Sequence, residues 1–404
     1  MPQKRAPRTE AGRAAYAARR RSQRATAIIA IAGLVVVGAG ALLAERTVGP
    51  TAASPAPTPL APTPEPTAAL VPSATIEPTA APVPSGPATI TIAAVGDIHF
   101  DRRVKQLIAA RGGAEPLEEV AAQLAAADIT VGNLESPLST RGTKNEAKDY
   151  TFRGDPRGAE GLALAGFDFL ALGNNHVLDY GPDALADTID LLDEKGIGHS
   201  GAGMDKTQAW TPAVRDIDGT TVAFLSFSHI LPPGFVAGSS RAGLAQGRNN
   251  MDAVEDAIRQ ADAEYDYVLV SFHWGVENED DANGDQVKDA HRAIDAGADM
   301  VLSHHPHVIQ AVEYYRGKLI AYSLGDFVFD HYSRKTGEAF VLEAELGPNG
   351  VANVTATPVY LDENGKPEYV TGAEARTILE RLKTISAKRK TAVTLDGDIG
   401  RVLP

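Results

Sequence analysis

Seven residues able to ligate a metal ion fall, one or two at a time, where apolar runs of this chain end: Asp97 and His99, Glu135, Asn175, His273, then His305 and His307. In Asp97-Ile98-His99 a one-residue spacer lets a carboxylate and an imidazole converge on one ion. Glu135 closes Gly132-Asn133-Leu134-Glu135 and suits a carboxylate that bridges two cations about 3.5–4 Å apart. Gly173-Asn174-Asn175-His176 offers a neutral oxygen ligand in Asn175 and, in His176, an imidazole that could protonate a leaving group. His273 leaves an apolar run in Phe272-His273-Trp274-Gly275, with Trp274 placed to wall a pocket. Ser303-His304-His305-Pro306-His307 is the most specific signal, because imidazoles this close together are electrostatically awkward unless they are neutral ligands, and Pro306 stiffens them. Taken singly, each residue has an ordinary explanation: a cap for Asp97, a loop acid for Glu135, a satisfied buried ring for His273. Their joint order is that of a two-metal hydrolytic centre.

Composition narrows the metal. Cysteine is absent, so thiolate ligands and disulfides are both excluded, and a site of His, carboxylate, Asn and water suits manganese, zinc or iron. A formal charge of -14 over 404 residues argues against nucleic acid as a partner.

Presenting such residues requires a rigid sheet. Residues 88–95 alternate and then turn wholly apolar, as a buried strand does. Further strands are expected at 129–131, 169–172, 221–227, 267–272, 300–302 and 319–322. Helical patterns lie between most of them, at 102–110, 116–127, 156–165, 182–195, 251–263 and 286–296. The alternation argues for an α/β layered domain. Residues 339–345 and 351–361 read as closing strands, and 373–389 as a basic terminal helix.

Five segments follow along the chain. Residues 1–24 are basic, with Arg19, Arg20 and Arg21 consecutive, and 25–44 carry no charge, about the length that spans a bilayer. That apolar core runs directly into Glu45 and Arg46 without a small-residue cleavage site, which fits an uncleaved transmembrane anchor better than a signal peptide. The positive-inside bias then leaves 1–24 in the cytoplasm and carries the rest outside the cell membrane. Residues 45–87 are Pro, Ala, Thr and Ser with few large apolar side chains, the composition of a disordered linker. A folded domain is expected over 88–374, followed by a C-terminal helix and tail over 375–404.

The motifs Gly96-Asp97, Asn133-Leu134-Glu135, Asn174-Asn175-His176-Val177-Leu178-Asp179-Tyr180-Gly181, His273-Trp274-Gly275 and His305-Pro306-His307-Val308 resemble the capsule-synthesis CapA family, associated with poly-γ-glutamate production. Tyr322-Ser323-Leu324-Gly325-Asp326-Phe327 extends the resemblance, which covers residues 90–329. That family is similar to the calcineurin-like metallophosphoesterases, which implies a four-layer β-sandwich flanked by helices and a site for two divalent metals. Carried over by motif, one metal takes Asp97, His99 and His307, the other takes Asn175, His273 and His305, Glu135 is shared, and His176 is the general acid. Two departures stand out. The family usually has an apolar residue where His99 stands, so the chain looks closer there to the phosphoesterase Asp-x-His pattern. Asp326 replaces a usual Asn and could orient a ligand imidazole or be structural.

His199, His229, His291 and His331 lack partner motifs and read as surface or core residues, and His304 stays outside the ligand set. Arg102 and Arg103 read as solvated charges, with an anionic group as the other use. Two function classes result. One is a membrane-anchored hydrolase of a phosphoester or a γ-glutamyl bond, outside the cell. The other is a non-catalytic metal-binding subunit of a polyglutamate synthesis and export complex, binding its subunits or the anionic polymer. The complete ligand set favours the first.

Overall fold

Ile90–Ile98 drops its polar alternation after Thr91 because every later residue of the strand is buried. The computed structural model describes residues 87–404 and places this strand near the middle of a ten-stranded mixed sheet. It pairs in parallel with Ile129–Leu134 and Asp326–Val328, and antiparallel with Glu338–Gly347. The expected cytoplasmic segment 1–24, the anchor 25–44 and all of the linker 45–87 except Pro87 lie outside the described residues. Among the described residues, no helix is long and apolar enough to cross a membrane.

A second sheet of six strands runs in the order Val312–Tyr315, Lys318–Ala321, Met300–Leu302, Tyr267–His273, Thr220–Ser228, Ala213–Ile217. Phe169 of the first sheet stacks on Phe224 of the second, with ring centroids 5.4 Å apart. On its other face the first sheet is covered by helices. Arg102–Arg111, Glu118–Leu124, Gly158–Leu164 and Gly181–Lys195 share a core with Ala93 and Val95, burying Val104, Val120, Leu162 and Leu185. Met251–Glu264 and Gly284–Ala296 pack on the second sheet. The fold is therefore mixed α/β and rich in sheet. Gly181–Lys195 shows how sequence sets an element's ends: a proline sits in its first turn, and Gly196 stops it with a φ of 70°, a conformation glycine adopts without a Cβ penalty.

Residues 375–404 hold the expected helix and, in place of a tail, a hairpin. The helix Gly372–Ala387 is followed by a hairpin, Ala392–Asp396 with Ile399–Leu403, that joins the first sheet beside Gly350–Leu361. The chain's end is thus part of the sheet. In both sheets, the carboxyl ends of neighbouring parallel strands carry the chemistry-bearing residues, where open α/β sheets place their sites.

Candidate metal centre

Gly96 exists for a crossing. A Cβ added there would lie 1.9 Å from the Gly325 carbonyl oxygen, and Gly325 itself holds a φ of 78°. This approach lets the Asp97 amide donate to Gly325 O at 3.0 Å and registers Asp97 beside Asp326 on one side and Asn133 on the other. Asn133 Nδ2 donates to Asp97 Oδ1 at 2.7 Å, and the His305 amide donates to Oδ2 at 3.1 Å. The carboxylate is held in one orientation before any ligand arrives.

Glu135 is the centre of the constellation. Its Oε1 is buried with no hydrogen-bond partner, while His273 Nε2 lies 3.4 Å away, His176 Nε2 3.9 Å and His307 Nε2 4.0 Å. A buried carboxylate oxygen left unpaired costs several kcal/mol, about what a cation would relieve. Two donor groups with atoms within 4.8 Å of one another share this residue: Glu135, His273 and His305, and Asp97, Glu135 and His307. A third joins exposed Glu277 to His305 and His307. Asn175 Oδ1 sits 2.6 Å from His273 Nε2, beside the first group. These residues fit divalent cations by donor chemistry and by the orphaned oxygen.

The loop that supplies two of the imidazoles is strained. His305 and His307 hold φ values of 98° and 56° around Pro306, a region non-glycine residues seldom enter, and such strain concentrates at functional sites. Asp326 Oδ1 lies 2.8 Å from His307 Nδ1 and leaves Nε2 facing Glu135. The side chain of Asp326 therefore orients the His307 ring.

His99 is not brought to either group. Its Nδ1 lies 3.1 Å from the Asp101 amide nitrogen and its Nε2 3.3 Å from that of Asp330, so both ring nitrogens face backbone N–H groups. Phe152 stacks on the ring at 4.7 Å and Phe329 meets it edge-on at 4.1 Å. Among the described residues His99 is thus not one of the clustered donors, and its ring packs between Phe152 and Phe329. His304, set aside on sequence grounds, is buried with Nδ1 3.4 Å from Asp97 Oδ1.

Next to the cluster stands a second constellation. His176 Nδ1 lies 2.5 Å from Asp179 Oδ2, which leaves Nε2 as the nitrogen facing Glu135. Lys148 Nζ donates to Asp179 Oδ1 and to the Asn175 carbonyl oxygen. Asp179 was within reach of sequence reasoning, three residues after His176; Lys148 carried no local signal.

Electrostatics follow burial. Burial raises the Asp97 carboxyl, but His304 and His307 outweigh it and hold it below the ordinary range. Burial, then Asp97, pushes Glu135 well up. His273 is pushed well below its usual value by burial and by His305, and His305 down to about 3 by burial and His307. Burial opposes charge on His307, yet Asp326 and Glu135 win and raise it. In the free centre Glu135, His273 and His305 thus favour their neutral forms, and Asp97 and His307 their charged ones.

His229, outside the cluster, offers a pH test. Its ring meets Phe272 and Trp274 edge-on, its Nε2 has no hydrogen-bond partner, and burial takes it down to about 4. A histidine depressed in the folded chain but near its ordinary value of about 6.5 when unfolded stabilises fully above that pH, and the contribution is lost as pH falls toward 4. His176, at about 4, and His305, at about 3, act in the same sense. These rings make the metal-free protein lose stability between pH 6.5 and 4, against an opposite contribution from the Glu135 and Asp326 carboxyls, which burial raises. His229→Leu should make that fall shallower by about 1.4 kcal/mol per pH unit, read by chemical denaturation; an unchanged slope would contradict a neutral buried ring.

Comparison with known proteins adds a lineage. A family model described as "Bacterial capsule synthesis protein PGA_cap" matches residues 91–331. The chain is similar to "Capsule biosynthesis protein CapA" of Bacillus anthracis, 31% identical over 291 residues that cover 70% of each. It is similar to "PGA biosynthesis protein CapA" of Bacillus subtilis (strain 168), 29% identical over 296 residues, 72% of this chain and 77% of that one. Among solved structures, a hypothetical protein from Thermus thermophilus covers 67% of this chain and 98% of its own at 16% identity, with a TM-score of 0.45, too loose a likeness to fix a shared fold.

Proposed function

Because the chain belongs to the bacterial capsule synthesis protein PGA_cap family, we propose that it is a two-cation hydrolase, acting on a phosphoester or a γ-glutamyl bond in the making or export of a poly-γ-glutamate capsule. The single observation that carries this reading is Glu135 Oε1, buried and unpaired, with three imidazole Nε2 atoms turned toward it. On this reading the two sheets and their covering helices are the four-layer β-sandwich of the metallophosphoesterases. Asp97, Glu135 and His307 would hold one ion, and Glu135, Asn175, His273 and His305 the other. Bound divalent cations would supply Lewis-acid activation of water and neutralise charge developing at the scissile centre.

The chain's own residues do the rest. Asn133 and the His305 amide fix Asp97, and Asp326 fixes His307. His176 delivers a proton from Nε2 to the leaving group while Asp179 holds Nδ1. Burial keeps that ring neutral near pH 7 in the free protein, and an anionic substrate opposite Nε2 restores its proton. Residues 25–44 anchor the chain, with the folded part outside the cell and polyglutamate-synthesis subunits as neighbours; the charge asymmetry about this apolar stretch supports that orientation.

The test compares bonds. Full-length protein in detergent, stripped by chelator and given back manganese, zinc or iron, should hydrolyse either a chromogenic phosphodiester or a γ-glutamyl anilide, with the rate falling at least about a hundredfold on chelation. A rate indifferent to chelation contradicts the proposal.

A further inference from the structure

Most arginines beside acidic residues here are paired: Arg141 with Asp187, Arg157 with Asp155, Arg292 with Glu255 and Asp252, Arg381 with Glu338 and Asp280. Arg102 is not. It is exposed and forms no ion pair among the described residues, although its charge acts on the Asp330 carboxyl against that group's burial; its guanidinium lies over the Phe152 ring 4.6 Å from its centroid. The same Phe152 stacks on His99 and packs 4.3 Å from the His176 ring. One aromatic ring therefore separates the free cation from the proton donor proposed above.

The placement is built. Arg102 opens its helix at a φ of 51°, strained for any side chain but glycine. The stretch before it is stitched to the loop that carries Tyr150 and Phe152: the Arg153 amide donates to Asp101 Oδ2 at 2.9 Å, and Lys105 Nζ to the Arg153 carbonyl at 3.0 Å. Stacking on an aromatic face orients a guanidinium while leaving its N–H fork free for an oxyanion. A chain of net charge -14 repels an anionic substrate at long range, and a guanidinium beside the centre offsets part of that repulsion.

We propose that Arg102 anchors a second negative charge of the substrate, so that the centre selects substrates bearing a carboxylate or phosphate beside the bond that is cleaved. This rests on the hydrolytic reading of the centre, and its test reads binding rather than turnover. The probes are inorganic phosphate and 2-phosphoglycolate, titrated calorimetrically into manganese-treated full-length protein. Wild type should bind 2-phosphoglycolate about tenfold tighter than phosphate, the effect of one charge-assisted contact. Arg102→Gln should bring that ratio near one with phosphate affinity changed less than about twofold, and Arg102→Lys should recover only part of it. Arg103→Gln, whose guanidinium donates to the Glu363 carbonyl, should match wild type. A ratio that survives Arg102→Gln, or a wild type that binds neither anion, overturns the proposal. Loss of the ratio in a protein that cleaves nothing would instead overturn the hydrolytic reading alone.

Discussion

Glu135→Gln should abolish turnover, by a factor on the order of a thousand, and leave the metal-free protein at least as stable as wild type. The two effects have opposite signs because the residue serves function at the fold's expense. Its Oε1 is buried without a hydrogen bond, and burial together with Asp97 pushes the carboxyl well up, so the free protein gains nothing from the charge. Glutamine keeps the shape and removes both the charge and the capacity to bridge. Sites that bind cations commonly trade stability in this way. The measurements are initial rates with excess manganese and thermal unfolding after chelation. A variant that is much less stable without metal and fully active with it would mean that Glu135 is structural.

His176→Ala should lower kcat by roughly a hundred to ten thousandfold and change KM little, the range for loss of a positioned proton donor. Nothing in its packing predicts a comparable loss of stability: the ring touches Phe152 and its polar contacts run to Asp179 and Lys148, which can still pair with each other. A leaving group that needs no proton, such as p-nitrophenolate, should lose much less rate than an alkoxide. Equal losses for the two leaving groups would assign His176 to binding.

Why some of this was readable and some not is a matter of range. Buried parallel strands such as Tyr267–His273 and Met300–Leu302 announce themselves as short apolar runs, and every strand and helix expected between residues 88 and 338 occurs within a few residues of its place. Three of the strands that went unread lie at or next to a sheet edge. Ile399–Leu403 buries only alternate residues, Ala392–Asp396 only Val393, and Ala213–Ile217 is nowhere fully buried, so none shows a continuous apolar signal.

The site divides the same way. Asp97, Glu135, Asn175, His273, His305 and His307 converge because each lies at or just past the carboxyl end of a strand with a parallel neighbour. His99 shares the strand's face with Asp97, but backbone amides from Asp101 and Asp330 and the rings of Phe152 and Phe329 capture it, and those partners lie up to 231 residues away. Lys148 reaches Asn175 and Asp179 from loops 27 and 31 residues distant, a contact no local pattern encodes.

Elemental analysis of the full-length protein, dialysed against manganese, zinc or iron and then against metal-free buffer, tests the central claim most directly. The geometry of two donor groups sharing Glu135 predicts about two divalent ions per chain in wild type and fewer than about one in Glu135→Gln. A wild type that retains none, or a Glu135→Gln variant that keeps both, would contradict it.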